Sequence, residues 1–323
     1  MNRRALEALL PIDTPLSVIP TGCLSLDWAL GCGGFPRGHL VEIFGPPDSG
    51  KTTLALEAIA AAQRQGGVAA FLDAEHALDL RYAAAVGIET EGLIYSQPTS
   101  APQALEIVCA LVRSCVVDVV VLDSVAALGG ERKVVPGTRG ELSSSGGDFE
   151  YWPFVDGLRR LHTLLSKSSY CAVILINQLR SRLKVEVGER ETTTGAPALS
   201  MMATLRVRTE RRAALMRNGE SAGSRCAIRI AKNTLGRSSR QAEIEILANG
   251  ICRQSDLVAL GLRAGTIART SDGLCFGSSI LGASAQEACF TLQNSPRLYS
   301  ALDRRLREMA GVGPKAAGAV AGS

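Results

Sequence analysis

The feature that most constrains the fold is the segment GPPDSGKTT at residues 45–53. It matches the phosphate-binding pattern G-x-x-x-x-G-K-[ST] at every fixed position. The apolar residues 39–44 before it predict a short buried strand, and the Ala- and Leu-rich residues 54–65 after it predict a helix. A strand, a glycine loop and a helix in this order indicate an α/β fold in which the loop opens the helix.

The backbone of such a loop presents several N–H groups to one point, and the helix dipole adds partial positive charge there. Lys51 can reach the outer phosphates of a nucleotide, and the Thr52 hydroxyl can ligate Mg²⁺. A glycine-rich turn could match the pattern by chance, but the flanking strand and helix favour a phosphate loop. The sequence therefore predicts a site for a nucleoside triphosphate.

Length and composition fit an α/β protein with a large core. The 323 residues suffice for one large domain and a smaller one, and 46% of them are hydrophobic against 20% charged. The mild net charge of +4 allows a polyanionic partner without requiring one. No apolar run has the length of a bilayer crossing and the N-terminus lacks a signal-peptide core, so we expect a soluble cytoplasmic protein with no membrane partner.

The cysteine pattern argues for a reducing compartment. The nine cysteines include no C-x-x-C pair, and the three histidines are scattered along the chain. Cys109, Cys171, Cys226 and Cys289 lie in apolar stretches. We therefore expect buried free thiols rather than a disulfide framework or a zinc site.

The middle of the chain alternates between short apolar segments and amphipathic ones. The apolar segments predict strands at 68–72, 93–95, 117–122 and 171–176, and the others predict helices at 102–113 and 158–165. Continuous apolar strands separated by helices indicate a parallel sheet covered on both faces. Later segments at 205–210, 227–231 and 243–247 alternate apolar and polar residues, which predicts an antiparallel extension of the sheet.

Polar residues follow several of these strands, at the edge where open α/β sheets bind ligands. Asp123 can hold Mg²⁺ through water, as the second half of a phosphate-loop site does. Glu75 can orient the water that attacks the γ-phosphate, and the Gln178 amide can contact that phosphate and release it after hydrolysis. The alternatives are an ordinary strand-end aspartate, a solvated loop glutamate and a buried amide.

Two segments without a packing explanation predict long loops. Residues 129–148 are rich in Gly, Ser and charged side chains, and residues 180–197 mix basic side chains with hydroxyls and glycine. Such loops can follow a phosphodiester backbone, although a solvated mobile loop explains the charges equally well. Tyr151 and Trp152 border the first loop, where they could stack on bases, but packing at the edge of the core is the better prediction.

With these residues assembled, the chain resembles the bacterial RecA recombinases. The similar segments are 21–27 (TGCLSLD), 41–46 (VEIFGP), 49–53 (SGKTT), 73–79 (DAEHALD), 96–98 (SQP), 123–128 (DSVAAL), 176–178 (INQ) and 191–195 (ETTTG). DAEHALD and ETTTG in order with the phosphate loop are far more specific than that loop alone. The resemblance covers roughly residues 21–310.

The resemblance implies a RecA-type P-loop ATPase core with a mostly parallel central sheet at residues 21–249. Before it stands a short N-terminal arm at 1–20, and after it a small α/β C-terminal domain at 250–310 and a disordered tail at 311–323. It also implies that the core carries DNA-binding loops at about 129–155 and 180–199. In the family, these parts form a filament on single-stranded DNA.

The resemblance also assigns roles to residues. It implies an ATP site with Mg²⁺ at Thr52 and Asp123, catalysis by Glu75, Lys51 and Gln178, and adenine contacts from Asp79 and Tyr82. The remaining ATP-binding residues that it implies are Gly45, Pro46, Ser49, Gly50, Thr53 and, across a subunit interface, Lys232. The residues that it implies for single-stranded DNA are Arg180, Leu183, Thr192, Thr194 and Gly195.

The function implied is an ATP-dependent recombinase and DNA-dependent ATPase that forms filaments on single-stranded DNA, pairs it with duplex DNA and serves DNA repair in the SOS response. The chain departs from the family in its shorter N-terminal arm, and Ser200 and Thr234 stand where the family has lysines. These departures leave an alternative: a diverged paralogue that binds ATP and DNA as an accessory or regulatory protein, without strand exchange. A P-loop ATPase that acts on something other than nucleic acid is a further alternative, which ETTTG and the loops disfavour.

Overall fold

The computed structural model describes residues 16–128, 151–167, 170–181, 191–217, 220–236 and 240–312. Its strands are β1 Val18–Ile19, β2 Phe35–Pro36, β3 Leu40–Gly45, β4 Val68–Asp73, β5 Ile94–Ser96, β6 Val117–Asp123, β7 Ala172–Ser181, β8 Glu191–Thr193, β9 Leu205–Arg217, β10 Glu220–Asn233, β11 Gln241–Leu247, β12 Gly250–Ile251, β13 Ile267–Thr270, β14 Gly273–Phe276 and β15 Ser279–Gly282. Its helices are α1 Leu24–Leu30, α2 Lys51–Arg64, α3 Leu80–Val86, α4 Ala101–Ser114, α5 Tyr151–Lys167, α6 Ala196–Met202, α7 Arg253–Arg263, α8 Ala285–Asn294 and α9 Pro296–Ala310.

One large sheet with the strand order β12-β11-β10-β9-β3-β7-β6-β4-β5 organises the chain. Strands β9, β3, β7, β6, β4 and β5 run parallel, whereas β9 to β12 pair as antiparallel neighbours. This arrangement confirms the predicted mixture of a parallel sheet and an antiparallel extension. Buried apolar side chains cover both faces, with α2 on one and α4 and α5 on the other.

The register of the parallel strands brings their carboxyl ends together. Gly45 of β3 pairs with Gln178 of β7, and Asp73 of β4 pairs with Asp123 of β6. Because each of these residues ends or nearly ends its strand, the loops that follow meet along one edge of the sheet. That edge carries the predicted site.

Helix α5 begins earlier than the sequence predicted. The helix was expected at 158–165, with residues 151–155 in the first loop, but it starts at Tyr151. Pro153 lies in its first turn, where no intrahelical N–H bond is lost. Phe154 and Leu158 are fully buried on its inner face, which leaves Trp152 on the outer face with 72% of its surface exposed. The prediction that Trp152 packs at the edge of the core is therefore wrong.

The second predicted loop contains regular structure at its end. Residues 191–193 form β8, which pairs antiparallel with the end of β7, and residues 196–202 form α6. Gly195 caps this helix with a φ of 65°, and a Cβ there would approach Phe154 Cε1 to 2.6 Å. Glycine therefore suits this position on two counts, since its backbone adopts positive φ freely and its lack of a side chain avoids the phenylalanine.

Residues 253–312 form a smaller unit with a core of its own, in which α7, α8 and α9 pack with the sheet β13–β14–β15. Leu24 and Trp28 of α1 join this core. Val312 also packs against it, two residues beyond α9, in the segment that the sequence assigned to a disordered tail. Residues 1–15 of the predicted N-terminal arm and the rest of the predicted tail lie outside the described residues.

Polar contacts tie the smaller unit to the large sheet. Arg253 forms an ion pair of 2.8 Å with the buried Glu57 of α2. The carboxylate of Asp256 accepts a hydrogen bond of 3.1 Å from the backbone N–H of Ser25, at the start of α1. Arg307 Nη1 lies 3.9 Å from the buried carboxylate of Asp27. Each contact joins elements far apart in the chain, so the smaller unit docks through specific charges.

All nine cysteines are free thiols, in agreement with the sequence. Cys109, Cys171 and Cys226 are buried as expected, whereas Cys289 is only partly so. Within the part of the chain that the structure describes, none of the helices has the length and apolar character needed to cross a membrane.

Candidate functional site

The phosphate loop lies between β3 and α2 and is held from the neighbouring strands. Ser49 Oγ donates to the Pro46 carbonyl and shares a hydrogen bond with Thr209 Oγ1 of β9, both over 2.7 Å. Gly50 has a φ of 85°, and a Cβ there would collide with Ile246 of β11. The loop is therefore shaped by its own glycine and by strands more than 150 residues away, as the bond to Thr209 shows.

Lys51 lies inside the loop, where Nζ donates to the Pro46 carbonyl over 2.6 Å. Burial lowers the pKa of Lys51, and the negative charges of Asp123, Glu75 and Asp48 act against this by raising it. The ammonium group therefore sits among carboxylates and loop carbonyls that keep it near the first turn of α2. A phosphate bound by the loop N–H groups would be within the reach of this side chain.

Thr52 and Asp123 form the predicted metal pair. Thr52 Oγ1 donates to Asp123 Oδ2 over 2.6 Å. Burial raises the pKa of Asp123 to about 6, and the hydrogen bond from Thr52 works against that rise. A hydroxyl and a carboxylate oxygen at this spacing fit Mg²⁺, which prefers oxygen ligands and takes few of them from the protein.

Glu75 is the point where the ends of three strands meet. Its Oε1 accepts a hydrogen bond from Gln178 Nε2 over 2.8 Å and another from Ser124 Oγ. Gln178 belongs to β7, Ser124 follows β6, and Glu75 follows β4. The structure thus brings together the side chains that the sequence assigned to water activation and to sensing of the γ-phosphate, and it adds Ser124.

Asp73 fixes the loop that carries Glu75. Its carboxylate accepts backbone hydrogen bonds from Ala77 (3.2 Å) and Leu78 (3.1 Å), and one from the Tyr95 hydroxyl (2.8 Å). The backbone N–H of Ala74 also donates to the Asp123 carbonyl over 2.7 Å. Because the loop is bonded at both ends, the position of Glu75 does not depend on its own side-chain contacts alone. Sequence reasoning missed Tyr95, which lies in an unremarkable short strand.

Asp79 and Tyr82 lie at the start of α3, beside the phosphate loop. Asp79 caps this helix by accepting hydrogen bonds from the N–H groups of Arg81 and Tyr82, which lower the pKa of its carboxyl. The Tyr82 hydroxyl shares a hydrogen bond of 2.9 Å with Thr53 Oγ1. Tyr82 therefore stands next to α2, with its ring packed at the edge of the core.

A cavity of about 540 Å³ adjoins the phosphate loop. Residues 48–53 line one side, and the other side consists of Arg211, residues 221–224 and residues 246–248. The second wall was not predicted, because it comes from the β9–β10 hairpin and the end of β11, which no motif marks. A cavity of this size suits a nucleotide.

Lys232 does not line this cavity. It lies on β10, and its Nζ donates to the carbonyl oxygens of Ser200 (2.8 Å) and Met201 (3.0 Å) at the C-terminal end of α6. Burial and the nearby Arg206 lower the pKa of Lys232. Within one chain, these hydrogen bonds of Lys232 stabilise the end of α6. Its predicted contact with ATP would be made to the nucleotide of a second copy of the chain.

The predicted DNA-binding residues fall at the junction of β7, β8 and α6. Thr192 pairs with Arg180 in the β7–β8 ladder, and Thr194 and Gly195 connect β8 to α6. Leu183 and the side chain of Arg180 lie outside what the structure describes. Thr194 is tied to the site through Asn177, whose Nδ2 donates to the Thr194 carbonyl over 2.8 Å.

Comparisons with known proteins bear on the family of the chain. The model of the RecA N-terminal domain family matches residues 8–252. Protein RecA of Acidothermus cellulolyticus is 43% identical over 310 residues, which span 96% of this chain and 87% of that protein. Protein RecA of Arthrobacter sp. is 41% identical over 307 residues, with 95% and 86% covered, and that of Geobacter sulfurreducens is 40% identical over 303 residues, with 94% and 88% covered.

Proposed function

The chain belongs to the RecA family of recombinases, and from this premise we propose that it is an ATP-dependent recombinase that assembles on single-stranded DNA and pairs it with duplex DNA. The observation that carries the proposal is the contact between Gln178 and Glu75. It joins the proposed hydrolytic group to the strand that leads directly into the proposed DNA-binding segment. A signal at the nucleotide therefore has a short physical route to DNA.

ATP binding is the first step. The N–H groups of the phosphate loop and the dipole of α2 hold the β- and γ-phosphates, and Lys51 leaves the Pro46 carbonyl to neutralise their charge. Asp79 and Tyr82 contact the adenine. Mg²⁺, when bound at Thr52 and Asp123, offsets the charge that develops on the phosphate oxygens.

Hydrolysis depends on Glu75. Its carboxylate orients and partly deprotonates the water that attacks the γ-phosphate, which is the usual role of a base in phosphoryl transfer. Ser124 donates to this carboxylate and fixes its direction, and Gln178 donates to it while no γ-phosphate is bound. Both donors are neutral, so they orient the carboxylate without making an ion pair with it.

Gln178 serves as the sensor. While the γ-phosphate is present, its amide can bond that phosphate, and after hydrolysis it returns to Glu75. This exchange of partners moves the end of β7, to which β8 and Thr194 are attached. Arg180, Leu183, Thr192, Thr194 and Gly195 then grip or release single-stranded DNA.

Filament formation completes the proposed function. A second copy places its Lys232 near the ATP of the first, and the cost is the release of Lys232 from the Ser200 and Met201 carbonyls. Ser200 and Thr234 do not add cations to this contact. We therefore expect assembly to depend on ATP and on DNA together.

Electron microscopy tests the proposal directly. The protein with single-stranded DNA and a non-hydrolysable ATP analogue is expected to form regular filaments, while Lys51→Ala is expected to form none. Binding to DNA should also weaken steeply as salt rises, because phosphate contacts release counterions. DNA affinity without filaments would support the accessory paralogue instead, and absence of DNA affinity at low salt would contradict both functions.

A further inference from the structure

Asn177 is a fully buried side chain directly before the sensor Gln178. Its Nδ2 donates to Glu42 Oε1 over 3.0 Å and to the Thr194 carbonyl over 2.8 Å. Its Oδ1 accepts a hydrogen bond of 3.0 Å from the Gln178 backbone N–H. Both amide protons and the amide oxygen are thus engaged. Asn177 contacts neither the phosphate loop nor Glu75 in these hydrogen bonds, so it is placed to act on the site through other residues.

Glu42 gives Asn177 a rigid support. This carboxylate is completely buried in the middle of β3, and Arg206 of β9 pairs with it over 2.6 Å. The Arg206 guanidinium also lies 4.6 Å from the centre of the Phe44 ring. A buried charge persists only when it is paired and hydrogen-bonded, so the group formed by Arg206, Glu42 and Asn177 resists displacement.

Thr194 is the end of this group that belongs to the proposed DNA-binding segment. The hydroxyls of Thr193 and Thr194 are buried and, among the described residues, have no hydrogen-bond partner. Side-chain hydrogen bonds of these threonines therefore do not hold the segment. The Asn177 amide fixes the Thr194 carbonyl, and Gly195 follows at the left-handed cap of α6.

The backbone of residues 177 and 178 connects the Gln178 side chain to the hydrogen bond between Asn177 and Thr194. A change of partner at the Gln178 amide shifts this backbone, and Asn177 must move with it because its Oδ1 holds the Gln178 N–H. Asn177 cannot move without displacing the Thr194 carbonyl or leaving a buried donor unsatisfied, which proteins strongly avoid. A molecular switch requires two discrete arrangements, and this link would couple a change of partner at Gln178 to a shift at Thr194.

We propose that Asn177, supported by Glu42 and Arg206, is the positioning residue that transmits a change at Gln178 to the Thr194–Gly195 segment. Its role in DNA binding and the sensing of the nucleotide by Gln178 rest on the proposed function, whereas the hydrogen bonds of Asn177 with Glu42, Thr194 and Gln178 do not. Without this residue, the ATP site remains intact and the segment no longer reports what is bound there.

Hydrogen exchange tests the link in the absence of DNA. Exchange of the amides in residues 191–199 is measured with and without adenylyl imidodiphosphate. In the unchanged chain, the analogue is expected to alter this exchange by about tenfold, and in Asn177→Ala by less than about twofold. The affinity for the analogue should stay within about twofold in this variant, because the side-chain hydrogen bonds of Asn177 go to Glu42, Thr194 and Gln178 and not to the phosphate loop.

Matched variants separate the link from general destabilisation. Asn233→Ala is the control, since Asn233, at the end of β10, likewise donates to a carbonyl (Leu30, 3.1 Å) and accepts a backbone N–H. It should leave the response of residues 191–199 to the analogue unchanged.

Asn177→Asp provides a second test if Asn177→Ala does not fold. This variant keeps the shape of the side chain and the Oδ1 acceptor. In Asn177→Asp, the effect of the analogue on amide exchange in residues 191–199 should be absent at high pH. It should return as pH falls, when the protonated carboxyl can donate to the Thr194 carbonyl.

The outcomes are distinct. A response in Asn177→Ala equal to that of the unchanged chain overturns the inference, and so does the lack of any response in the unchanged chain. Binding of single-stranded DNA by the unchanged chain, measured in parallel, reports on the proposed function alone. A chain that shows the nucleotide response but does not bind DNA would refute the recombinase and keep the link through Asn177.

Discussion

Gln178 Nε2 donates a hydrogen bond of 2.8 Å to Glu75 Oε1, and this contact spans the ends of β7 and β4 across the intervening β6. Ser124, at the end of β6, donates to the same oxygen. The parallel register that aligns Asp73 with Asp123 makes the convergence possible. A glutamate beside the phosphate loop is thus oriented by side chains from the ends of both β6 and β7.

Replacing Glu75 with Gln should separate binding from hydrolysis. The amide preserves the size of the side chain but cannot take a proton from water, so we expect turnover to fall by about 10²–10⁴-fold. Affinity for a non-hydrolysable ATP analogue should remain similar. Steady-state ATPase assays measure the first effect and titration calorimetry the second, with the exposed Glu91→Gln as control. Undiminished turnover in Glu75→Gln would remove this residue from the chemistry.

Thr52→Val should raise the Mg²⁺ requirement. Valine keeps the shape of threonine but removes the hydroxyl that lies 2.6 Å from Asp123. We expect the Mg²⁺ concentration for half-maximal ATP hydrolysis to increase by about tenfold or more, because a direct metal ligand is lost. Thr163→Val on the exposed side of α5 serves as a control. An unchanged Mg²⁺ dependence would show that Thr52 is not a ligand.

Lys232→Met should weaken the folded chain by about 1 kcal/mol, since the hydrogen bonds to the Ser200 and Met201 carbonyls are lost. Chemical denaturation in the absence of DNA measures this loss, and the exposed Lys167→Met should show none. If stability is unchanged while DNA-dependent turnover falls, Lys232 acts at the neighbouring subunit and not as a brace for α6.

Asp27 should make stability depend on pH. Burial raises the pKa of its carboxyl from 3.8 to about 7. Between these values the unfolded chain loses the proton that the folded chain keeps, so this group's contribution makes stability fall as pH rises through this window, with no further loss above it. Asp27→Asn keeps an acceptor for Thr21 and removes the titration. The free energies of unfolding in urea at about pH 5.5 and about pH 7.5 should differ less in Asp27→Asn than in Asp272→Asn.

The sequence predicts the parts of this protein in which local pattern and burial agree. Most residues of β3, β4 and β6 and the first half of β7 are apolar, and the structure places each of these strands in the parallel sheet. The spacing of the glycines and the lysine predicts the phosphate loop and, with it, a nucleotide site. The common location of Glu75, Asp123 and Gln178 was predictable because polar residues at strand ends share one edge, which is a consequence of parallel topology.

Other features depend on contacts that no local pattern reveals. Glu42 interrupts an apolar strand, and its partners Arg206 and Asn177 lie 164 and 135 residues away in the chain. The start of α5 was missed because Pro153 and Gly157 disfavour helices in general, yet Pro153 lies in the first turn and Gly157 abuts Leu105. The wall of the cavity at Arg211 comes from a hairpin whose position only the complete sheet defines.

The rate of ATP hydrolysis with and without single-stranded DNA tests the central claim most directly. If the Glu75–Gln178 contact links the nucleotide to the DNA-binding segment, DNA should raise the turnover of the unchanged chain by about tenfold or more. The same DNA should not stimulate Lys51→Ala, which cannot use ATP. Equal turnover with and without saturating DNA would contradict the account, because nucleotide and DNA would then act independently.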